Sequence, residues 1–480
     1  MIPSFLYMPL IKSISGIRGT VGGQSGNNLT PLDVVRFVSA YAILIKQNNP
    51  DNKPKVVVGR DGRISGEMFR NLVVGTLLSQ GVDVIDLEMA TTPTVEIAVI
   101  KSGAQGGIIL TASHNPAGWN ALKLLDAAGE FLTAEAGREV LKLADSADLT
   151  FATEDKLGNY SVNQEIAAEH LAAILKLSLV KTKNIAARDF KIVVDGINSI
   201  GGLMVPKLLR LLGVNKIIEL NCEPNGNFAH RPEPLDENLA EIKARVLAEK
   251  ADLGIIVDPD VDRLAFIDEN GVMFGEEYTL VAVADYVLKN FEMISAANPG
   301  KYYKAAVSNL SSSRALADVA VGYGGLYQAA AVGEVNVVAK MREIKAVIGG
   351  EGNGGVIFPE LHYGRDALAG IALFLSALAE GGYKMSEYKK LFPEYFMVKD
   401  KIELTPDLNL PEFLSKIKEA YVAEKITDID GVKIDWPDSW VHLRASNTEP
   451  IIRIYAEAKS SEIAAEKVAE IKEKILAYIK

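Results

Sequence analysis

The chain has 480 residues, 48% hydrophobic and 24% charged, a makeup that fits a water-soluble protein of several domains and exceeds what one core accommodates. With 51 basic against 62 acidic side chains, the formal net charge of −11 disfavours a general binder of nucleic acid or of anionic membranes. An anionic ligand would therefore have to meet a locally basic pocket. The one cysteine, Cys222, excludes a disulfide framework within the chain and a thiolate zinc cluster, and fits a reducing, cytoplasmic setting.

The opening stretch, MIPSFLYMPLIKSISG, carries a short apolar run with neither a basic segment nor a small-residue cleavage site, so no signal peptide is expected. No apolar run is long enough to span a bilayer. A weak repeat follows. KVVVGRDGR (55–63), KIVVDGINS (191–199) and KAAVSNLSS (304–312) are each a lysine, a short apolar strand and a polar turn, with a helical pattern after it. Each is followed later by a second apolar strand that ends in an unusual loop: GGIILTASHNP (106–116), ADLGIIVDPDVDR (251–263) and IKAVIGGEGNGG (344–355). Strands alternating with helices imply α/β units with parallel strands, whose ligands sit beyond the carboxyl ends of the strands.

The expected fold is three tandem, similar α/β domains with mixed, mostly parallel sheets, each giving one loop to a shared cleft. Residues 431–458 instead read as strands around one polar loop, and 460–480 as an amphipathic, serine-capped helix, so a smaller C-terminal α+β domain completes the chain. The boundaries are set at 1–155, 156–270, 271–385 and 386–480.

The loops carry the chemistry. In GGIILTASHNPAGWNALK, Ser113 lacks the G-x-S-x-G elbow of hydrolases, and His114 follows it directly, which argues against a hydrolase triad. In DPDVDR, Asp258, Asp260 and Asp262 alternate along a turn after a buried strand. Three carboxylates that close repel unless a cation stands between them, and an all-oxygen set selects a hard ion, Mg²⁺ before Zn²⁺. An EF-hand fails here: Arg263 replaces the turn glycine and strands flank the loop. A phosphatase with Asp258 as nucleophile stays open. With a metal loop and a phosphate cradle elsewhere, Ser113 reads best as a phosphoryl carrier, and Lys123 as a proton donor or acceptor if the pocket lowers its pKa. In GGEGNGG, Glu351 and Asn353 suit sugar hydroxyls. In RASNTEPIIR, Arg444, Ser446, Asn447, Thr448 and Arg453 supply converging donors for a phosphate. SGIRG and GRDGR add Arg18, Arg60 and Arg63, each by itself an ordinary surface arginine or structural ion pair.

TASHNPAGWNALK, DPDVDR, GGEGNGG and RASNTEP, in that order, resemble the α-D-phosphohexomutase family over nearly the whole chain. The resemblance implies four domains around one deep cleft and interconversion of a hexose 1-phosphate and 6-phosphate through a phosphoserine and a hexose bisphosphate. It makes Ser113 the phosphoserine and Asp258, Asp260 and Asp262 the Mg²⁺ ligands, with Ser113 supplying a further oxygen. Lys123, His114, Arg18 and Arg263 then serve or support catalysis. Glu351 and Asn353 hold sugar hydroxyls, and Arg444, Ser446, Asn447, Thr448 and Arg453 hold the distal phosphate. Overall the chain most resembles prokaryotic phosphoglucosamine mutases with the NPAGWNALK form of the serine loop. Gly355 and Ala330 stand where many members carry histidine and threonine, which keeps a glucose/mannose phosphate mutase as the alternative. The implied partner is a small sugar phosphate, handled by a monomer or homodimer without nucleic acid or membrane.

Overall fold

Each lysine-led repeat forms an inner strand of its own sheet. The computed structural model describes residues 10–13, 16–146, 149–403, 410–445 and 451–479. The chain folds as two units, one of residues 1–279 and 354–386, the other of 280–353 and 387–480.

In the first unit, Lys55–Arg60 is flanked in parallel by Asp83–Met89 and Gly106–Leu110, and Lys191–Asp195 likewise by Lys216–Leu220 and Leu253–Val257. After each second repeat the chain reverses. Trp119–Leu125 returns antiparallel to Gly106–Leu110, and Leu264–Asp268 returns antiparallel to Leu253–Val257. TASHNPAG and DPDVDR, aligned by the repeat as loops after a second strand, are thus the turns of two equivalent strand pairs; the antiparallel return strand is what the repeat did not display. The first sheet has seven strands, extended by Ile11–Ser13 and Gly16–Thr20 beyond Trp119–Leu125 and by Tyr160–Val162 beyond Asp83–Met89.

The apolar runs are continuous because these strands are covered on both faces. Val56, Val58, Ile108 and Leu110 pack with Val34, Phe37 and Tyr41 of helix Pro31–Gln47. Their neighbours Val57 and Ile109 point the other way, into a cluster with Val95 and Val99 of helix Thr92–Ser102. Each such side chain contributes about 1.5–3 kcal/mol on burial. Gly106 has no room for a Cβ, because the Tyr41 hydroxyl passes over it to donate to the carbonyls of Leu125 (2.6 Å) and Gly107 (3.2 Å).

In the second unit, Tyr303–Asn309 lies between Leu326–Ala330 and Ala346–Glu351, parallel to both. The C-terminal part is an antiparallel five-stranded sheet in the order Phe396–Glu403, Ile451–Ala458, Trp440–Ala445, Val432–Asp435, Lys425–Thr427. Helix Ser461–Ile479 contributes Ile471 and Val468 to its core. The expected serine cap is Ser460, whose hydroxyl accepts from the Ile463 amide at 3.3 Å. The expected α/β class, with three similar domains and a smaller C-terminal one, is the observed architecture. Among the described residues, no helix is long and apolar enough to cross a membrane.

Candidate active site

The serine loop is held from behind by an arginine. Arg63, 1% exposed, pairs with Asp61 at 3.0 Å. Its two terminal nitrogens donate to the carbonyls of Ser113 (2.6 Å), Asn115 (2.7 Å), Pro116 (2.7 Å) and Trp119 (3.0 Å). Asp61 also accepts from the Thr111 hydroxyl (2.7 Å), which in turn accepts from the Ser113 amide (3.0 Å). This cage matters because Ser113 has φ +47°, a left-handed conformation that a non-glycine residue keeps only when its surroundings enforce it. The second arginine of GRDGR is therefore no ordinary surface residue. Arg63→Ala strips Asp61 of its partner and four carbonyls of their donor, and should cost roughly 3–5 kcal/mol of stability along with turnover, measurable by urea unfolding and by assay.

Ser113 Oγ donates to Asp258 Oδ2 at 2.6 Å. Asp258 Oδ1 accepts from the amides of Asp262 and Arg263, both at 3.2 Å, which folds the Asp loop back on itself. All three carboxylates are 0% exposed and offer oxygens within 4.8 Å of one another. Burial, with Asp260 and Asp262 close by, pushes the Asp258 carboxyl well above its usual range. Burial works the same way on Asp260, but the Lys123 ammonium together with hydrogen bonds from Lys123, Thr92 and Asp258 outweighs it and holds Asp260 low. Two buried oxygens, Asp260 Oδ1 and Asp262 Oδ1, have no hydrogen-bond partner. Orphaned, converging carboxylate oxygens are a donor set suited to a hard metal ion. The triad can hold one.

Four cations surround these three anions. Lys123 Nζ reaches Asp260 at 2.7 Å and Asp262 at 3.5 Å. Arg365 Nη2 reaches Asp262 at 2.7 Å. Arg263 pairs with Glu233 at 3.1 Å, and Arg18 donates weakly to Asn115 at 3.5 Å. The field of Arg263, then burial, then Arg18 hold His114 well below its usual pKa, so it is neutral. Cationic side chains thus gather at the serine and Asp loops despite the overall charge of −11, most of them paired with carboxylates. One expectation is reversed. The reading of Lys123 as a proton donor or acceptor was tied to a lowered pKa; burial does oppose its charge, but Asp260 and Asp262 outweigh burial and raise it.

Glu351, in the second unit, ends strand Ala346–Glu351 and is 5% exposed. It accepts from Asn309 Nδ2 (2.8 Å) and from the Gly333 amide (3.2 Å). Asn353 lies two residues on, in the turn before Gly354. Arg444 and Arg453 face each other across antiparallel strands, Arg444 paired with Asp430 at 2.8 Å. Ser446, Asn447 and Thr448 lie outside the described residues. Sequence reasoning missed Arg365 and Thr92, whose hydroxyl donates to Asp260 Oδ2 at 2.6 Å. Neither stands in a motif that announces a ligand; only the fold brings them to the Asp loop.

Residues 10–150, 168–271 and 276–395 match the phosphoglucomutase/phosphomannomutase alpha/beta/alpha domains I, II and III, and 401–474 match the C-terminal domain of the same family. A phosphoglucomutase/phosphomannomutase of Thermococcus kodakarensis is 38% identical over 93% of this chain and 96% of its own. A phosphoglucosamine/phosphogalactosamine mutase of Sulfurisphaera tokodaii is 35% identical over 95% and 97%. Among solved structures, a phosphoglucomutase/phosphomannomutase family protein of Burkholderia thailandensis superposes with a TM-score of 0.79 at 26% identity, over 98% of both chains.

Proposed function

The chain belongs to the phosphoglucomutase/phosphomannomutase family and is a phosphohexomutase, and from that premise we propose that it interconverts glucosamine 6-phosphate and glucosamine 1-phosphate through phosphorylated Ser113. The observation that carries the mechanism is the Ser113 Oγ–Asp258 Oδ2 contact at the meeting of two equivalent strand-end turns, among four cations. Phosphoserine 113 gives its phosphoryl group to the free hydroxyl of the hexose phosphate, and the serine oxygen leaves. The resulting bisphosphate turns around and returns its other phosphate to the serine.

Asp258, Asp260, Asp262 and an oxygen of the phosphoserine would hold Mg²⁺. The ion's contribution when bound is to neutralise charge on the transferring phosphoryl group. Lys123, held protonated, supplies charge, gives a proton to the leaving serine oxygen and takes up the one that the attacking hydroxyl loses. Arg18 and Arg263 bind phosphate oxygens, and neutral His114 supports the serine turn. Glu351 and Asn353 hold ring hydroxyls, and Arg444 and Arg453, with Ser446, Asn447 and Thr448, hold the phosphate that is not reacting. The four segments divide at 155, 270 and 385, and the enzyme acts in the cytoplasm as a monomer or homodimer.

The sugar assignment is supported by the Sulfurisphaera relative, and its rival by the Thermococcus one. The test is kcat/KM across glucosamine, glucose and mannose phosphates with the matching bisphosphate present. We expect glucosamine phosphate to win by about tenfold or more, the low end of the discrimination that a single pocket difference gives. A tenfold preference for glucose or mannose phosphate would move the assignment to the rival.

A further inference from the structure

The Asp loop does not hold its shape unaided. Val261, between two of its carboxylates, has φ +63°, which for a β-branched residue costs on the order of 1–3 kcal/mol. The three carboxylates also repel one another. Two external grips oppose this. Thr92 binds Asp260 twice, amide to carbonyl at 2.9 Å and hydroxyl to Oδ2 at 2.6 Å. On the other side, the Ala367 amide donates to the Val261 carbonyl at 3.2 Å, and Arg365 reaches Asp262 at 2.7 Å. Each grip sits at the first turn of a helix, Thr92–Ser102 or Ala367–Gly381.

The grips fix the loop only if the two helix starts are fixed to each other. A buried cluster joins them. From the first helix, Thr94 Oγ1 meets His170 Nδ1 at 2.9 Å, and Glu96 pairs with His362 Nδ1 at 3.3 Å. His170 Nε2 and His362 Nε2 converge on Asp366 Oδ2 at 2.8 and 3.3 Å. Asp366 Oδ1 caps the second helix through the amides of Leu368 (2.8 Å) and Ala369 (3.1 Å). Gly364 leaves no space for a Cβ against Glu96. The four ionisable residues are at most 5% exposed. Burial opposes charge on His362, but Asp366 and Glu96 outweigh it and raise its pKa to about 10. A packed apolar cluster would stabilise the fold as well as this charged one. What charged, directional contacts add is a defined geometry.

We infer that Glu96, His170, His362 and Asp366 are positioning residues for the Asp loop, acting through Thr92 and Arg365 to preset its carboxylates for the metal. The inference rests on the reading of this loop as a metal site, and the experiment separates the two. Mn²⁺ is titrated into the full-length protein without substrate and followed by electron paramagnetic resonance, for wild type, His362→Gln and Thr94→Val. Thr94→Val is nearly isosteric and removes one hydroxyl, so it serves if His362→Gln does not fold. Both variants should bind Mn²⁺ about tenfold more weakly, the usual effect of removing support behind metal ligands. Raising Mg²⁺ should restore kcat while KM for the sugar phosphate stays as in wild type. A lower unfolding temperature with Mn²⁺ affinity within about twofold of wild type would mean a structural role only, and overturns the inference. Wild-type protein that takes up no Mn²⁺ overturns the metal reading itself and this inference with it.

Discussion

Ser113→Ala is expected to lower mutase turnover by roughly 10⁴-fold or more, the scale on which removal of a covalent nucleophile acts. The physical ground is that a mechanism passing through a bisphosphate needs one protein oxygen to give and take the phosphoryl group, and in the proposed reading that oxygen is Ser113 Oγ. The change itself is mild. It removes one hydrogen bond, to Asp258, worth about 1 kcal/mol, while the cage of Arg63, Asp61 and Thr111 around the turn remains. The variant should therefore fold and still bind the sugar phosphate, measured by calorimetry. Mass spectrometry of the intact chain should find phosphate on wild type and none on the variant. An alanine variant with wild-type turnover would remove Ser113 from the mechanism.

Withdrawal of the metal should be nearly as severe. Dialysis against a chelator is expected to stop turnover and Mg²⁺ to restore it. Asp260→Asn should lower kcat/KM by roughly 10³-fold, since a bound cation supplies several kcal/mol of charge stabilisation in the transition state. Asparagine keeps an oxygen for Thr92 and Lys123 but loses the charge that a hard cation needs. The loss should therefore appear first in metal affinity, and high Mg²⁺ should recover part of it. Chelated, metal-free protein at full turnover would end the assignment of Asp258, Asp260 and Asp262.

Local chemistry is what the sequence by itself determined. Short apolar runs led by lysine define inner strands because a strand covered on both faces must be apolar throughout, and Lys55–Arg60, Lys191–Asp195 and Tyr303–Asn309 are such strands. Three aspartates alternating after one of these runs mark a candidate cation site, because carboxylates that close repel; that all three are buried with converging oxygens is a product of the fold. Tertiary structure alone decided everything that depends on partners far along the chain. Arg63 reads as one more arginine until the serine turn, fifty residues later, closes its carbonyls around it. Lys123 reads as a candidate for a lowered pKa until Asp260 and Asp262 arrive beside it and reverse the direction. Arg365, Thr92 and the His170–Asp366–His362–Glu96 cluster stand in no recognisable motif: His362 and Asp366 are four residues apart, but every other contact joins distant parts of the chain. A side chain's type and its near neighbours are written locally. Its electrostatic field and its hydrogen-bond partners are set by which distant segments the fold packs against it.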